Sequence, residues 1–365
     1  MITKMMGGFI ALSLVFLVAC ASQPSDTIRI GVVAPFTGDA AVYGQSTEHA
    51  IKILRNELDP ALNQKLEIYY EDACLAKEAI NSAHKLVDAN HVDIITGVFC
   101  IVGVDPIVSL TKPLQISVMM TAAVPDTIIH LQGYVFSPNS AIQDEAEAQA
   151  EYAYHTIGAR TASVLWMNSD FGQNYNKYFS AKFDQLGGTI LSNEPLEFFG
   201  ADYRTELTKV KANNPEFLLL VHFGNQMGIL LRQAKELGMN LPIMGTYESE
   251  DPTILKIAGK GAEGLLLTSP IGKDNNPVAD RFRNQYQELY GQPPTTIAVM
   301  AYDALKLQIE AYQSCKGDKA CMIDYLYKVK DYQGASGTFS ISPQGTAKRT
   351  FVFKQVQNGQ YVVLP

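Results

Sequence analysis

The sequence lacks most of the signatures that would point to catalysis. It has six histidines and one tryptophan. No histidine falls in an H-E-x-x-H pair, which removes the common zinc-hydrolase arrangement. His84 and His91, seven residues apart on or beside a helix, read as surface residues. There is no P-loop and no G-x-S-x-G elbow, so phosphoryl transfer and serine hydrolysis have no handle. GKGAEG (259–264) matches G-x-G-x-x-G, but it follows a helix-like stretch and precedes a strand, the reverse of a dinucleotide site. Net charge is −8 and no basic patch reaches five residues, which excludes nucleic acid as a partner. No acid–base pair is set up by spacing, and no histidine stands ready to activate Cys100. The expectation is a protein that is not an enzyme, with no cofactor and no metal.

What is present begins with an export segment. Lys4 is the only charged side chain in the first twenty residues, and FIALSLVFLVA (9–19) is apolar but too short to span a membrane. It fits a secretory core. Leu17-Val18-Ala19-Cys20 resembles a bacterial lipobox, in which the cysteine receives lipid and becomes the new N-terminus. An ordinary signal peptide containing a cysteine is the alternative. Residues 1–19 are thus read as a lipoprotein signal peptide and 20–26 as a lipidated flexible tether. The expected location is the periplasm or cell envelope, anchored to a membrane through Cys20.

Setting Cys20 aside leaves Cys74, Cys100, Cys315 and Cys321, which allow three pairings. Cys315 and Cys321 flank KGDKA, a polar insert that a local bridge would close. That leaves Cys74 with Cys100, each following a strand-like run. Four reduced cysteines would instead suit a cytosolic protein.

Strands and helices then alternate. TIRIGVVAPF, LEIYYE, DIITGV and LQISVM read as strands, with helices over 44–58, 76–89 and 104–112 and a loop at TGDAAVYG. A second series follows YVFSPNS, with strands ASVLWM, TILSNEPL, FLLLVHF, LPIMGTY and LLLTS. This pattern predicts an α/β fold with mostly parallel sheets covered on both faces. Residues 276–328 are helical, and ASGTFSIS, RTFVFKQV and QYVVLP are strand-like. Helices alone cannot form an α/β layer, so they are assigned to the first unit and the last strands to the second. The chain would cross between lobes near 137, 270 and 332. The N-terminal lobe is 27–137 plus 270–331, and the C-terminal lobe is 138–269 plus 332–365.

Loops at the carboxyl ends of these strands carry aromatic and small residues. They include Tyr43, Phe99 to Gly103, Thr121 to Ala123, Phe171, Phe223 and Tyr247 to Asp251. In a two-lobed protein such ends face each other across a cleft.

At this point the sequence resembles the type I periplasmic solute-binding proteins of ABC transporters, in the branched-chain amino-acid-binding (Leu/Ile/Val) family. IRIGVVAPFTGDAAVYGQ, EDACLAKEA with GVFC, DFGQNY, LLRQAKELGMNLPIMGT, AGKGAEGLLLTSP and YQGASGTFSISPQG follow in the family's order. The resemblance implies two Rossmann-like lobes joined by a three-crossover hinge. It implies a small ligand between them and delivery to ABC permease subunits in the inner membrane. It also supports the Cys74–Cys100 pairing, and the chain is expected to act as a monomer. A ligand sensor or envelope regulator on the same scaffold is the alternative.

The implied ligand set is Tyr43, Phe99, Cys100, Ile101, Thr121, Ala122, Ala123, Phe171, Phe223, Tyr247 and Glu248. It departs from the amino-acid binders. Ile101-Val102 replace the hydroxyl residues that clamp a ligand carboxylate, Ala123 replaces a threonine, and Phe171 replaces a tyrosine. The acid that meets an ammonium group falls near Tyr247 to Glu248. The expectation is a ligand less zwitterionic than a free amino acid, such as an aromatic or aliphatic acid or an amide.

Overall fold

The computed structural model describes residues 27–38, 40–129, 131, 133–271 and 276–365. The signal segment, Cys20 and the tether lie outside them.

The first sheet contains β1 (Ile28–Ala34), β2 (Leu66–Asp72), β3 (Ile94–Val98), β4 (Val118–Met120) and β5 (Val135–Phe136). They run parallel in the order β2-β1-β3-β4-β5. β3 is buried throughout, as its uninterrupted IITGV run requires of a strand covered on both faces. β2 lies at the edge and exposes part of its length. The helix after β1 spans Ala41–Glu57, so part of the expected loop is helical and Tyr43 sits in its first turn.

The second sheet contains β6 (Thr161–Met167), β7 (Thr189–Leu196), β8 (Phe217–Val221), β9 (Ile243–Gly245) and β10 (Leu266–Ser269). After them come three short strands, β11 (Tyr332–Gly334), β12 (Gly337–Ile341) and β13 (Ala347–Lys348), which pair with one another in a small antiparallel sheet. β14 (Val352–Gln357) then pairs antiparallel with β10, and β15 (Gln360–Val363) with β14. The full order is β15-β14-β10-β9-β8-β6-β7.

Helices Pro277–Tyr290, Thr296–Cys315 and Lys319–Tyr327 return to the first lobe. Ala298, Tyr302 and Leu305 share a core with Ile30, Val32 and Ile94. Gln308 ties the longest of these helices to the sheet, its Nε2 donating to the Ile95 carbonyl at 3.0 Å. One expectation is corrected here. Phe339, Ile341 and Ala347 join this first-lobe core, so 332–348 belongs with it and the third crossing falls after Lys348, not near 332. A strand pattern specifies which face is buried but not which sheet accepts it.

Arg349 marks that crossing. Its guanidinium donates to the carbonyls of Pro138, Pro270 (2.9 Å) and Ser336 (3.0 Å), so one side chain ties all three connecting segments together. Asp303, fully buried on helix Thr296–Cys315, accepts from the N–H groups of Ala335 (2.6 Å) and Ser336 (2.8 Å).

Both disulfides form, with Cα separations of 5.0 Å for Cys74–Cys100 and 5.6 Å for Cys315–Cys321. Cys74 follows β2 and Cys100 follows β3. The two strands flank β1, so the bridge spans its carboxyl end.

Candidate functional site

The cleft is built from strand ends. Phe99, Cys100 and Ile101 follow β3, and Thr121 to Ala123 follow β4. Phe171 lies in the first turn of helix Asp170–Gln185, where Ser169 Oγ accepts from Gly172 N at 3.2 Å. A Cβ on Gly172 would meet the Met167 carbonyl at 2.0 Å, so only glycine permits this tight strand-to-helix turn. Phe223 precedes helix Gly224–Glu236, and Tyr247 and Glu248 form a short turn after β9.

Aromatic rings from both lobes meet between these ends. Tyr43 stacks on Phe99 with centroids 4.4 Å apart. Phe223 of the second lobe stands edge-on to Tyr43 at 6.2 Å and to Phe171 at 6.2 Å. Tyr43, Phe99 and Phe171 are buried and Phe223 is half-buried. One apolar core runs through the cleft and holds residues of both sheets, among them Val98, Val118, Val164 and Leu219.

Tyr175, whose ring packs on Phe171 at 4.8 Å, leads from these rings to a buried polar centre. Tyr247 reaches across the cleft, and its hydroxyl accepts from Ala123 N at 3.0 Å. The Tyr247 backbone N–H donates to Glu145 at 3.0 Å, and the hydroxyls of Tyr175 and Thr268 also donate to Glu145. Gln149 Nε2 bridges Thr268 Oγ1 (3.0 Å) and the Gly245 carbonyl (3.1 Å). Thr246 Oγ1 donates to Glu248 at 2.6 Å. Burial holds both carboxyls above the ordinary carboxylate range, and the charge of Glu145 pushes Glu248 further up. Burial also raises the Tyr43 phenol, with Asp251 and Glu248 adding to the shift.

The remaining expected residues take different places. Cys100 is in its disulfide and, like Ile101, is half-buried against the core, while Val102 is 55% exposed. Ala122 and Ala123 are buried, as is Thr121, whose hydroxyl has no hydrogen-bond partner. Glu145, Tyr175 and Thr268 were missed. A signal for Glu145 did exist. Helix Ile142–Glu151 buries Ile142, Glu145, Ala146, Gln149 and Ala150, a helical stripe that carries Glu145 and Gln149 inward.

A gap of about 10 Å³ remains where the 247–251 turn faces the first turns of helices Ala41–Glu57 and Thr296–Cys315. Among the described residues, no group of three or more His, Cys, Asp or Glu is placed to hold a metal. No helix among them is long and apolar enough to cross a membrane.

Two parallel-sheet lobes, three crossings and an interlobe cleft at the strand ends agree with a match of residues 27–360 to the profile named "Periplasmic binding protein". The chain belongs to the periplasmic binding protein family. Among its relatives is the leucine-, isoleucine-, valine-, threonine- and alanine-binding protein of Pseudomonas aeruginosa, 22% identical over 336 residues and 90% of either chain. The leucine-binding protein of Thermotoga maritima shares the fold with a TM-score of 0.88 at 24% identity, over 93% of this chain and 98% of the other. A solute-binding protein of Rhodopseudomonas palustris, solved with 3,4-dihydroxybenzoic acid, gives 0.83 at 20% identity, over 93% and 96%. As in the rest of this family, the site belongs to a binding scaffold with an interlobe cleft.

Proposed function

We propose that this protein is an extracytoplasmic substrate-binding lipoprotein of an ABC importer, anchored through Cys20. It holds an amino acid or a related small organic acid or amide between its lobes and presents the closed form to a membrane permease. The observation that supports this most is the convergence of Tyr43 and Phe99 with Phe171 and Phe223 from opposite lobes. A ligand touching both walls favours closure by its differential affinity for the closed state.

The relatives span zwitterionic and aromatic ligands: one is named for leucine, isoleucine, valine, threonine and alanine, and another was solved with 3,4-dihydroxybenzoic acid. The chain's own residues narrow the choice. Ile101 and Ala123 offer no side-chain clamp for a carboxylate. Thr121 and backbone N–H groups supply the polar contacts on the first-lobe side, and the aromatic rings supply the wall.

Native mass spectrometry of the full chain in detergent, before and after gentle unfolding, tests the reading. A small molecule released on unfolding and a lipid-modified Cys20 are the expected results. Free leucine or valine held by the 101–103 turn would overturn the lost clamp. A chain that releases nothing and is stabilised by no amino acid, amide or organic acid would overturn the import reading.

A further inference from the structure

The two lobes also touch outside the aromatic cleft, through charged and polar groups. Asp126 lies past β4 and opens the short helix Asp126–Ile129 of the first lobe. Helix Asp170–Gln185 belongs to the second lobe and carries Asn174, Lys177 and Tyr178. Asp126 Oδ2 accepts from Lys177 Nζ at 2.7 Å and from the Tyr178 hydroxyl. The Asp126 backbone N–H donates to Asn174 Oδ1 at 2.9 Å. Asn174 is itself held, its Nδ2 donating to the Asp170 carbonyl at 2.9 Å. One first-lobe residue thus meets three side chains of a single second-lobe helix.

Two features set this cluster apart from the framework. It joins one lobe to the other, whereas Arg349 ties the connecting segments. It is also reached by solvent: the Lys177 side chain is 61% exposed and that of Asp126 30%. Water replaces each partner when the lobes part, so the cluster stabilises the closed arrangement alone. Val124 pairs with Ala141 beside the first crossing, which places Asp126 close to the hinge. Rotation moves a group there only a little, but a hydrogen bond is lost within about 1 Å. The cluster is therefore sensitive to the first stage of opening.

We propose that Asp126 is a positioning residue for closure, and that its contacts with Lys177, Tyr178 and Asn174 latch the lobes together before a ligand binds. The ligand then meets a protein whose closed form is already populated, and the same contacts slow its release. An exposed ion pair alone shifts such an equilibrium by no more than about fivefold. The hydroxyl of the half-buried Tyr178 donates to the same carboxylate and adds to the shift. The latch does not depend on which molecule is carried.

Fluorescence transfer between labels, one on each lobe of the full chain in detergent, tests it. Unfolding and refolding first releases any bound molecule. The empty wild type is expected to populate the closed distance. Asp126→Asn is expected to lower the closed-to-open ratio by about fivefold or more, and Lys177→Met and Tyr178→Phe by about threefold each. Asp126→Asn combined with Lys177→Met is expected to lose no more than Asp126→Asn alone, because the two act through one contact. Raising NaCl from about 0.05 M to about 0.5 M should open the wild type and leave Asp126→Asn nearly unchanged. If Asp126→Asn fails to fold, Lys177→Met and Tyr178→Phe carry the test. An empty wild type found mainly open overturns the latch, as do lobe distances unchanged in the variants. A salt response that Asp126→Asn keeps in full, or additive losses in the double variant, overturns it too. None of these outcomes bears on the import reading, which the mass spectrometry above tests separately.

Discussion

Asp303 and Asp251 are both buried aspartates, and they differ in what surrounds them. Asp303 sits beside the hinge with each oxygen accepting a backbone N–H and with Arg349 nearby. Asp251 sits at the cleft, uses one oxygen as a helix cap and leaves the other without a donor. A buried carboxyl that is fully partnered is part of the framework. One left half-partnered costs stability and leaves an acceptor open at the cleft. The contrast separates a region built to hold the lobes together from one built to accept something between them.

The largest expected effect would break this contrast directly. Asp303→Ala strands two buried N–H groups and is expected to cost about 3–5 kcal/mol in urea unfolding. Asp251→Ala removes only a cap, at about 1 kcal/mol, partly offset by relief of the repulsion among the neighbouring carboxyls. Equal losses would erase the distinction.

The pH dependence sharpens it. Burial pushes Asp303 up to about 6. The folded form therefore holds its proton more tightly than the unfolded chain. The stability this contributes is complete below the unfolded value near 4 and is lost as the pH rises through about 6. The loss is on the order of 3 kcal/mol. Glu145 and Glu248 are shifted in the same direction, so they act with the same sign. Unfolding free energy measured from pH 4 to 7 should fall in the wild type. In Asp303→Asn the part of the slope that Asp303 contributes between about pH 4 and 6 should disappear while the contribution of the cleft pair remains.

Arg349 is the next step down. Arg349→Met removes the donors that tie Pro138, Pro270 and Ser336, with an expected cost of about 2 kcal/mol, because water reaches this half-buried site. Small-angle scattering should show a wider spread of lobe separations. An unchanged spread would confine Arg349 to local stability.

How much of this was legible in the sequence follows from which signals periodicity carries. Apolar runs such as FLLLV and the helical stripes marked the two α/β units, because burial on a repeating face leaves a repeating pattern. The gathering of Phe99, Phe171 and Phe223 just past their strands was legible because open sheets present their loops there, whereas Tyr43 was read in a loop and lies in the first turn of a helix. The partner of a late strand was not, so β12 was assigned to the wrong lobe. The buried acids were also hidden. In EAEAQAE, Glu145 is buried while Glu151 is exposed, and the two look alike until the helix is docked. Asp303 and Arg349 gain their roles from chain segments far away in sequence, which no local spacing encodes.

The smallest predicted effect addresses a contact that joins the two lobes across the cleft. Tyr247→Phe removes the hydroxyl that accepts from Ala123 N across the cleft and keeps the ring. In an open form water can bond to that N–H, so the loss falls on the closed form alone. The expected cost is about 1 kcal/mol, a shift of about fivefold toward open lobes. Fluorescence transfer between labels placed one on each lobe should report that shift, while the unfolding midpoint changes little. A large drop in the midpoint with no change in lobe distance would place Tyr247 in the framework with Asp303. A shift in distance alone would place it with Asp251, among the groups whose partners change as the cleft opens and closes.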